Sequence, residues 1–312
     1  MRCSVLLLAL LGAAPARAQE CDDAALTRAA VEAVVSGERD LTRLARAAGS
    51  DLPHVRGLEL DDADDAAVSR FLASLRERDG APIACGEASS EGRRLVLAGA
   101  RAGGLAIDGA IARVRLADGW TDPHLYVRDA RGQTRVAPVV GGVAELPSDL
   151  EPPLIAQVVA TGPGGPRPVA ERTVGPPPTR VVIPSDAPLP ERLTRVRERA
   201  GVSPLRPNRL LTRVAVRHAQ EVCRTGRVAH IGADGDPVER LAREGIRARH
   251  VGETVARSGD VDGAWAATLH SPSHRAALVD RRMTDVGVGV AEDRCVVVIV
   301  AAWPRAVPWT GR

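Results

Sequence analysis

Lysine is absent from this chain; all 42 basic side chains are arginine. Arginine and alanine codons are GC-rich, so the bias reads as genome composition rather than a special use of guanidinium groups. Aromatic residues make up only 2% of the 312 positions, which leaves Ala, Val and Leu to build the cores and makes nucleic acid a poor partner. No apolar run approaches the roughly 20 residues a membrane-spanning helix needs. There is no CxxC pair, which disfavours cysteine ligation of a metal. HExxH, GxSxG, phosphate-loop and GxGxxG patterns are all missing, so any catalysis would rest on scattered histidines and acids.

What is present begins with an address. Residues 1–18 combine Arg2, an apolar run from Val5 to Leu11 and an Ala16-x-Ala18 cleavage site, the signature of a secretory signal peptide. A lipid anchor on Cys21 is disfavoured because Glu20 occupies the position where such signals carry a small residue. The expectation is a secreted or periplasmic protein cut after Ala18. Cys3 would leave with the signal, and Cys21, Cys85, Cys223 and Cys295 remain. Four cysteines in an oxidising compartment suggest two disulfides with three possible connectivities, of which Cys21–Cys85 and Cys223–Cys295 is the simplest. Charge is uneven: residues 19–187 hold 19 arginines against 25 acids, whereas residues 188–312 hold 21 against 14. A basic second half is suited to an anionic envelope polymer or a lipid head group, but arginine solvated on helix faces, partly neutralised by the acidic half, is the favoured account.

The chain divides by pattern. Residues 19–90 read as a helical segment, with helices over 24–36, 41–48 and 62–78; the last places Val68, Phe71, Leu72 and Leu75 on one face. Residues 91–175 alternate apolar and polar residues between Gly- and Pro-rich turns, which predicts a small antiparallel β-rich domain, sandwich-like, with no catalytic constellation; His124 beside Asp122 reads as a turn feature. Residues 176–190 form a Pro-rich linker. From 191 to 305, helices over 191–200, 209–225, 236–244 and 261–269 precede strands over 286–290 and 295–301, an α+β arrangement with helices packed on a sheet.

Three residues in that last domain carry chemistry. His230 sits in a loop just past the second helix. Glu253 stands in Gly252-Glu253-Thr254, read as lying ahead of a helix, and His274 follows Ser271-Pro272-Ser273, where a serine caps a short helix. Two imidazoles and a carboxylate from three elements can hold a divalent cation or move a proton. His218 reads as a core histidine, His250 and His270 as exposed, and Trp265 as core.

Taken in order, LTRVRERAGVSPLRPNRLLTRVAVRHAQ (193–220), AHIGADGDPVERLAREG (229–245), HVGETVA (250–256), WAATLHSPSHRAALVD (265–280) and DVGVGVAEDRCVVVIVAAW (285–303) resemble the CAP superfamily: cysteine-rich secretory proteins, antigen 5 and pathogenesis-related class 1 proteins, also called SCP-like extracellular domains. The likeness is to the bacterial branch and covers about 188–305. It implies an α-β-α sandwich with a central cleft on which His230, Glu253 and His274 fall, and a divalent cation, often zinc, on His230 and His274. Thr254 stands where the family has Asn. The family's second cleft acid would fall at Gly235, with Asp234 or Asp236 as substitutes. The resulting expectation is an exported protein whose cleft binds a lipid, an envelope component or a divalent metal, more a binding protein than an enzyme. A metal-dependent hydrolase with Glu253 as base on a metal-bound water, and an inactive structural envelope module, are the alternatives.

Overall fold

In a computed structural model, residues 21–61, 64–176 and 185–303 are described. The expected signal peptide, most of the expected linker and the residues after 303 lie outside them.

The first unit holds α1 (Ala24–Ser36), α2 (Leu41–Ala47), β1 (Arg56–Asp61), α3 (Asp65–Asp79), β2 (Ile83–Ser90) and β3 (Arg93–Ala100). Asp23 caps α1 by accepting from the Ala25 and Leu26 amides, and Gly37 ends the helix in the left-handed conformation. The three strands form an antiparallel sheet in the order β1-β3-β2. The pleat gives β3 two buried faces: Leu97 packs under α1 and α2, while Val96 and Ala98 pack under α3. The Cys21–Cys85 disulfide ties the chain's start to β2. An all-helical segment over 19–90 is therefore corrected. The helices are there, but β1 and β2 are strands, and their shared partner β3 lies beyond the expected boundary.

Next comes a two-sheet sandwich. Strands β4 (Gly103–Asp108), β5 (Ile111–Leu116), β6 (Thr121–Arg128), β7 (Thr134–Pro138), β8 (Val143–Glu145), β9 (Leu154–Gly162) and β10 (Gly165–Val174) form sheets ordered β4-β5-β8 and β10-β9-β6-β7. Leu105, Val114, Leu125, Val127, Ala156 and Val158 fill the space between them. The first unit docks on this sandwich through Asp51, whose carboxylate accepts from the Leu105 amide and whose carbonyl accepts from the Glu171 amide.

The last unit comprises α4 (Leu189–Arg199), β11 (Arg206–Pro207), α5 (Arg209–Thr225), α6 (Pro237–Arg243), β12 (His250–Arg257), α7 (Val261–His270), α8 (Pro272–Leu278), β13 (Asp285–Ala291) and β14 (Cys295–Ala302). α4 starts inside the expected linker because Pro190 fits a helix's first turn, where no amide donor is needed. The sheet order is β11-β13-β14-β12. Every residue of β14 is buried. Val297, Ile299 and Ala301 pack against α5 and α6, and Val296, Val298 and Val300 pack against α4, α7 and α8. Helices on both faces of the sheet make the α-β-α sandwich. The Cys223–Cys295 disulfide pins α5 to β14. Among the described residues no helix is long and apolar enough to cross a membrane.

Candidate functional site

β12 is an edge strand, and the site is built around it. Glu253 lies in its middle, opposite Ile299, and not at the start of a helix. It shares a face with Val255, toward α5 and α6, whereas Gly252 faces Ala277 of α8. Helices therefore approach this edge from both sides.

His230 comes from the loop between α5 and α6. Its Nδ1 donates to Glu253 Oε1 at 2.9 Å. The other carboxylate oxygen accepts from Arg240 Nη2 at 2.5 Å. Arg240 is buried on α6, and its Nη1 also donates to the carbonyls of His230 (2.9 Å) and Gly235 (2.6 Å). One guanidinium thus fixes both the carboxylate and the backbone of the histidine that the carboxylate orients. The local sequence makes this possible: Asp236 and Glu239 form a reciprocal capping box that starts α6 where Arg240 can reach inward.

His274 sits on α8, with the Ser271 hydroxyl accepting from its amide. His230 and His54 are close enough that positive charge on either disfavours a proton on His274. Burial first, and these neighbours second, push its pKa down to about 3. Its Nδ1 is buried without a hydrogen-bond partner.

His54, in the loop before β1, belongs to the same surroundings. The protein around it, with Arg46, Arg56 and Arg167, pushes its pKa down to about 4 against the pull of Asp79, although solvent reaches the ring and softens this effect. An unfolded histidine takes up a proton near 6.5, while these two in the folded state wait until about 4 and about 3, so stability is full above pH 6.5 and falls as the pH drops from there. Between pH 7 and 4.5 the urea midpoint should fall, with His274 contributing about 2 kcal/mol. In His274→Gln the slope should flatten; an unchanged slope would show that His274 takes up its proton as readily in the folded protein as in the unfolded chain.

The first two units hold this edge in place. Gln157 of β9 is buried, and its Oε1 accepts from Ser273 Oγ (2.7 Å), Ser271 Oγ (3.0 Å) and the Ser273 amide (3.2 Å). Its Nε2 donates to Glu171 at 2.7 Å; Glu171 pairs with Arg46 at 2.8 Å, and Arg46 donates to the Pro53 carbonyl, next to His54. A polar relay therefore runs from the cap of the His274 helix to the His54 loop. Gly132 and Gly164 of the sandwich accept from Arg275 and from the His230 and Ile231 amides. Gly132 needs its positive φ, and a side chain there would strike Arg275.

Sequence reading placed His230, Glu253 and His274 at one site, and the geometry brings them to one edge. It missed Arg240, Gln157 and His54. Asp234 and Asp236 do not serve as a second cleft acid, since Asp234 pairs with Arg243 and Asp236 caps α6. His218 is a core histidine whose ring nitrogens meet Glu221 and the Ala229 carbonyl. His270 lies 3.4 Å from Arg46.

The donor set does not fit a protein-built metal centre. Both Glu253 oxygens are engaged, His230 and His274 supply two imidazoles where catalytic zinc sites use three protein ligands, and no group of three or more His, Cys, Asp or Glu among the described residues could hold an ion. The buried, unpartnered Nδ1 of His274 also lacks the outer hydrogen bond that orients a ligating imidazole.

Residues 191–302 match the cysteine-rich secretory protein (CAP) family. Solved structures with similarity include an outer surface protein of Borrelia burgdorferi (19% identity, TM-score 0.35, covering 37% of this chain and 90% of that one). Others are an extracellular protein containing an SCP domain from Bacillus anthracis (17%, 0.33, 64% and 66%) and a cysteine-rich secretory protein from Staphylococcus aureus (11%, 0.31, 74% and 89%). No curated protein matches.

Proposed function

Residues 191–302 form a CAP domain, and from that premise we propose that this is an exported binding protein whose ligand lies along the β12 edge, between the CAP domain and the first two units. The observation that carries the reading is the engagement of Glu253. A general base must have a free lone pair within reach of a proton. Glu253 instead gives one oxygen to His230 and the other to Arg240, with its side chain only 1% exposed. It is a brace that orients His230. With both oxygens so engaged, Glu253 is not the base that the hydrolase reading assigns to it, and the site is suited to recognition. Neutral imidazoles at His54 and His274 are suited to hydrogen bonding and apolar contact at neutral pH. Export is supported by the two disulfides, which persist in oxidising compartments. The ligand classes in keeping with that location are a lipid and an anionic envelope polymer.

The test is a binding screen of the purified full chain against lipids, envelope glycans and divalent ions, repeated with His230→Ala/His274→Ala. A ligand held by the wild type and at least about tenfold weaker in the double variant, equivalent to about 1.4 kcal/mol, is the expected result. Equal binding by both proteins would place the ligand elsewhere. Turnover of any retained compound, abolished in Glu253→Gln, would restore the hydrolase.

A further inference from the structure

Beside the histidines, the boundary between the first unit and the CAP domain gathers positive charge. Arg56 at the start of β1, Val228, Arg257 at the end of β12 and Ser258 line an open cavity of about 240 Å³. Arg227 adjoins it, its guanidinium near Gly164 while that of Arg257 lies near Gly226. Arg78 and Arg167 stand close by, and both pair with Asp79. That carboxylate is the acid facing the group, and those two arginines already occupy it. Arg56, Arg227 and Arg257 have no ion pair or side-chain hydrogen bond among the described residues. Guanidiniums brought together from two units, with their counter-charge spent, repel one another across the boundary they share. The surroundings register this. Arg56 is held below the ordinary arginine range by the protein around it first, then by Arg78 and Arg257, and Arg167 similarly by burial and by Arg227 and Arg78, each against Asp79.

We propose that the cavity between Arg56, Arg257 and Ser258, with Arg227 at its rim, binds the phosphate group of the protein's ligand. Two unpaired guanidiniums lining one small cavity, with a third carried by the residue before Val228, call for an anion that brings more than one negative charge in a compact volume, and phosphate matches the planar fork of arginine with two parallel hydrogen bonds. Ser258 offers a further donor. A carboxylate would neutralise one arginine and leave the others facing each other. The cavity adjoins the histidine edge: His54 lies two residues before Arg56, and Arg257 is four residues along β12 from Glu253. A ligand with its phosphate here would extend its remaining part along that edge. The inference rests on the binding reading above and names the charged end of the ligand.

The experiment is calorimetry of the full chain with pyrophosphate at low salt, comparing wild type, Arg56→Gln/Arg257→Gln and Arg70→Gln, which removes one exposed charge of α3 away from the cavity. Binding by the wild type, weakened about 100-fold in the Arg56→Gln/Arg257→Gln variant and within about twofold in Arg70→Gln, is expected, since each lost charge-assisted contact is worth about a factor of ten or more. The double variant should melt no lower than the wild type, because it removes repulsion and breaks no contact. Should it fail to fold, Arg227→Gln, exposed at the rim, provides the same comparison. Two further titrations separate sources. Binding to phosphatidylglycerol–phosphatidylcholine vesicles, but not to plain phosphatidylcholine, points to a lipid head group; binding to soluble poly(glycerol phosphate) and not to vesicles points to a polymer; binding to pyrophosphate alone points to a small free phosphate. Failure of the wild type to bind pyrophosphate at millimolar concentration, or equal binding by the variants at the cavity arginines, overturns the proposal. If His230→Ala/His274→Ala still loses another ligand in the screen, the cleft reading survives that failure.

Discussion

Arg240→Ala should destabilise the protein by about 3–5 kcal/mol, read as the loss of urea midpoint at pH 7. The guanidinium is almost fully buried and pairs with a carboxylate whose side chain is 1% exposed. Deleting it strands a buried negative charge, and the cost is the desolvation of that charge rather than the worth of the pair. Arg240→Met/Glu253→Gln removes both charges and should recover most of the loss. A single-variant cost under about 1 kcal/mol would mean that water reaches Glu253, and its role as a brace would be lost with it.

The second large effect lies where α5 rests on the sheet. A Cβ at Gly287 would stand 2.2 Å from the Leu211 carbonyl carbon, and one at Gly289 would stand 2.2 Å from that of Ala215. These obstacles are backbone atoms and cannot rotate aside. Gly287→Ala should therefore cost about 3 kcal/mol or more, at or above the usual overpacking range, because α5 must lift from β13. Gly259→Ala is the matched control: nothing lies within 4 Å of its Cβ position and its φ is ordinary, so its melting temperature should barely change. A small effect at Gly287 would show that α5 does not sit directly on the strand.

Local signals explain which parts of this architecture were legible in the sequence. α5 was found at its true limits because Asn208 caps it, Gly226 stops it in the left-handed conformation, and its apolar residues repeat at helical spacing. β14 announced itself as a continuous apolar run, which both covered faces require. The first sheet was hidden because its hairpin turns at Glu91-Gly92, and Glu91 adopts a positive φ that glutamate rarely takes. β12 was hidden because an edge strand carrying Glu253 and Thr254 has no apolar alternation. The cysteine pairing was recovered from compartment and proximity in sequence alone.

The candidate site was legible only in part. His230, Glu253 and His274 stood out because five segments in order resembled a family. Arg240 is one arginine among 42 and has no mark that predicts burial. His54 stands alone in its segment, and its approach to His274 depends on how the first unit docks. Gln157 left a faint trace, as the single amide inside the apolar strand Leu154–Gly162. A polar side chain in such a strand needs a partner, and the partners, Ser271 and Ser273, are more than 110 positions away.

The most direct measurement of the shared edge is hydrogen–deuterium exchange on the full chain and on Gln157→Leu, which removes the acceptor of three hydrogen bonds while keeping the side chain's size. The relay is expected to loosen at both ends, with faster exchange over 271–275, where the Ser273 amide loses its acceptor, and over 46–57, where Arg46 holds the His54 loop. Faster exchange confined to β9 and its neighbours, with both of those stretches unchanged, would contradict a cleft walled jointly by the CAP domain and the units before it.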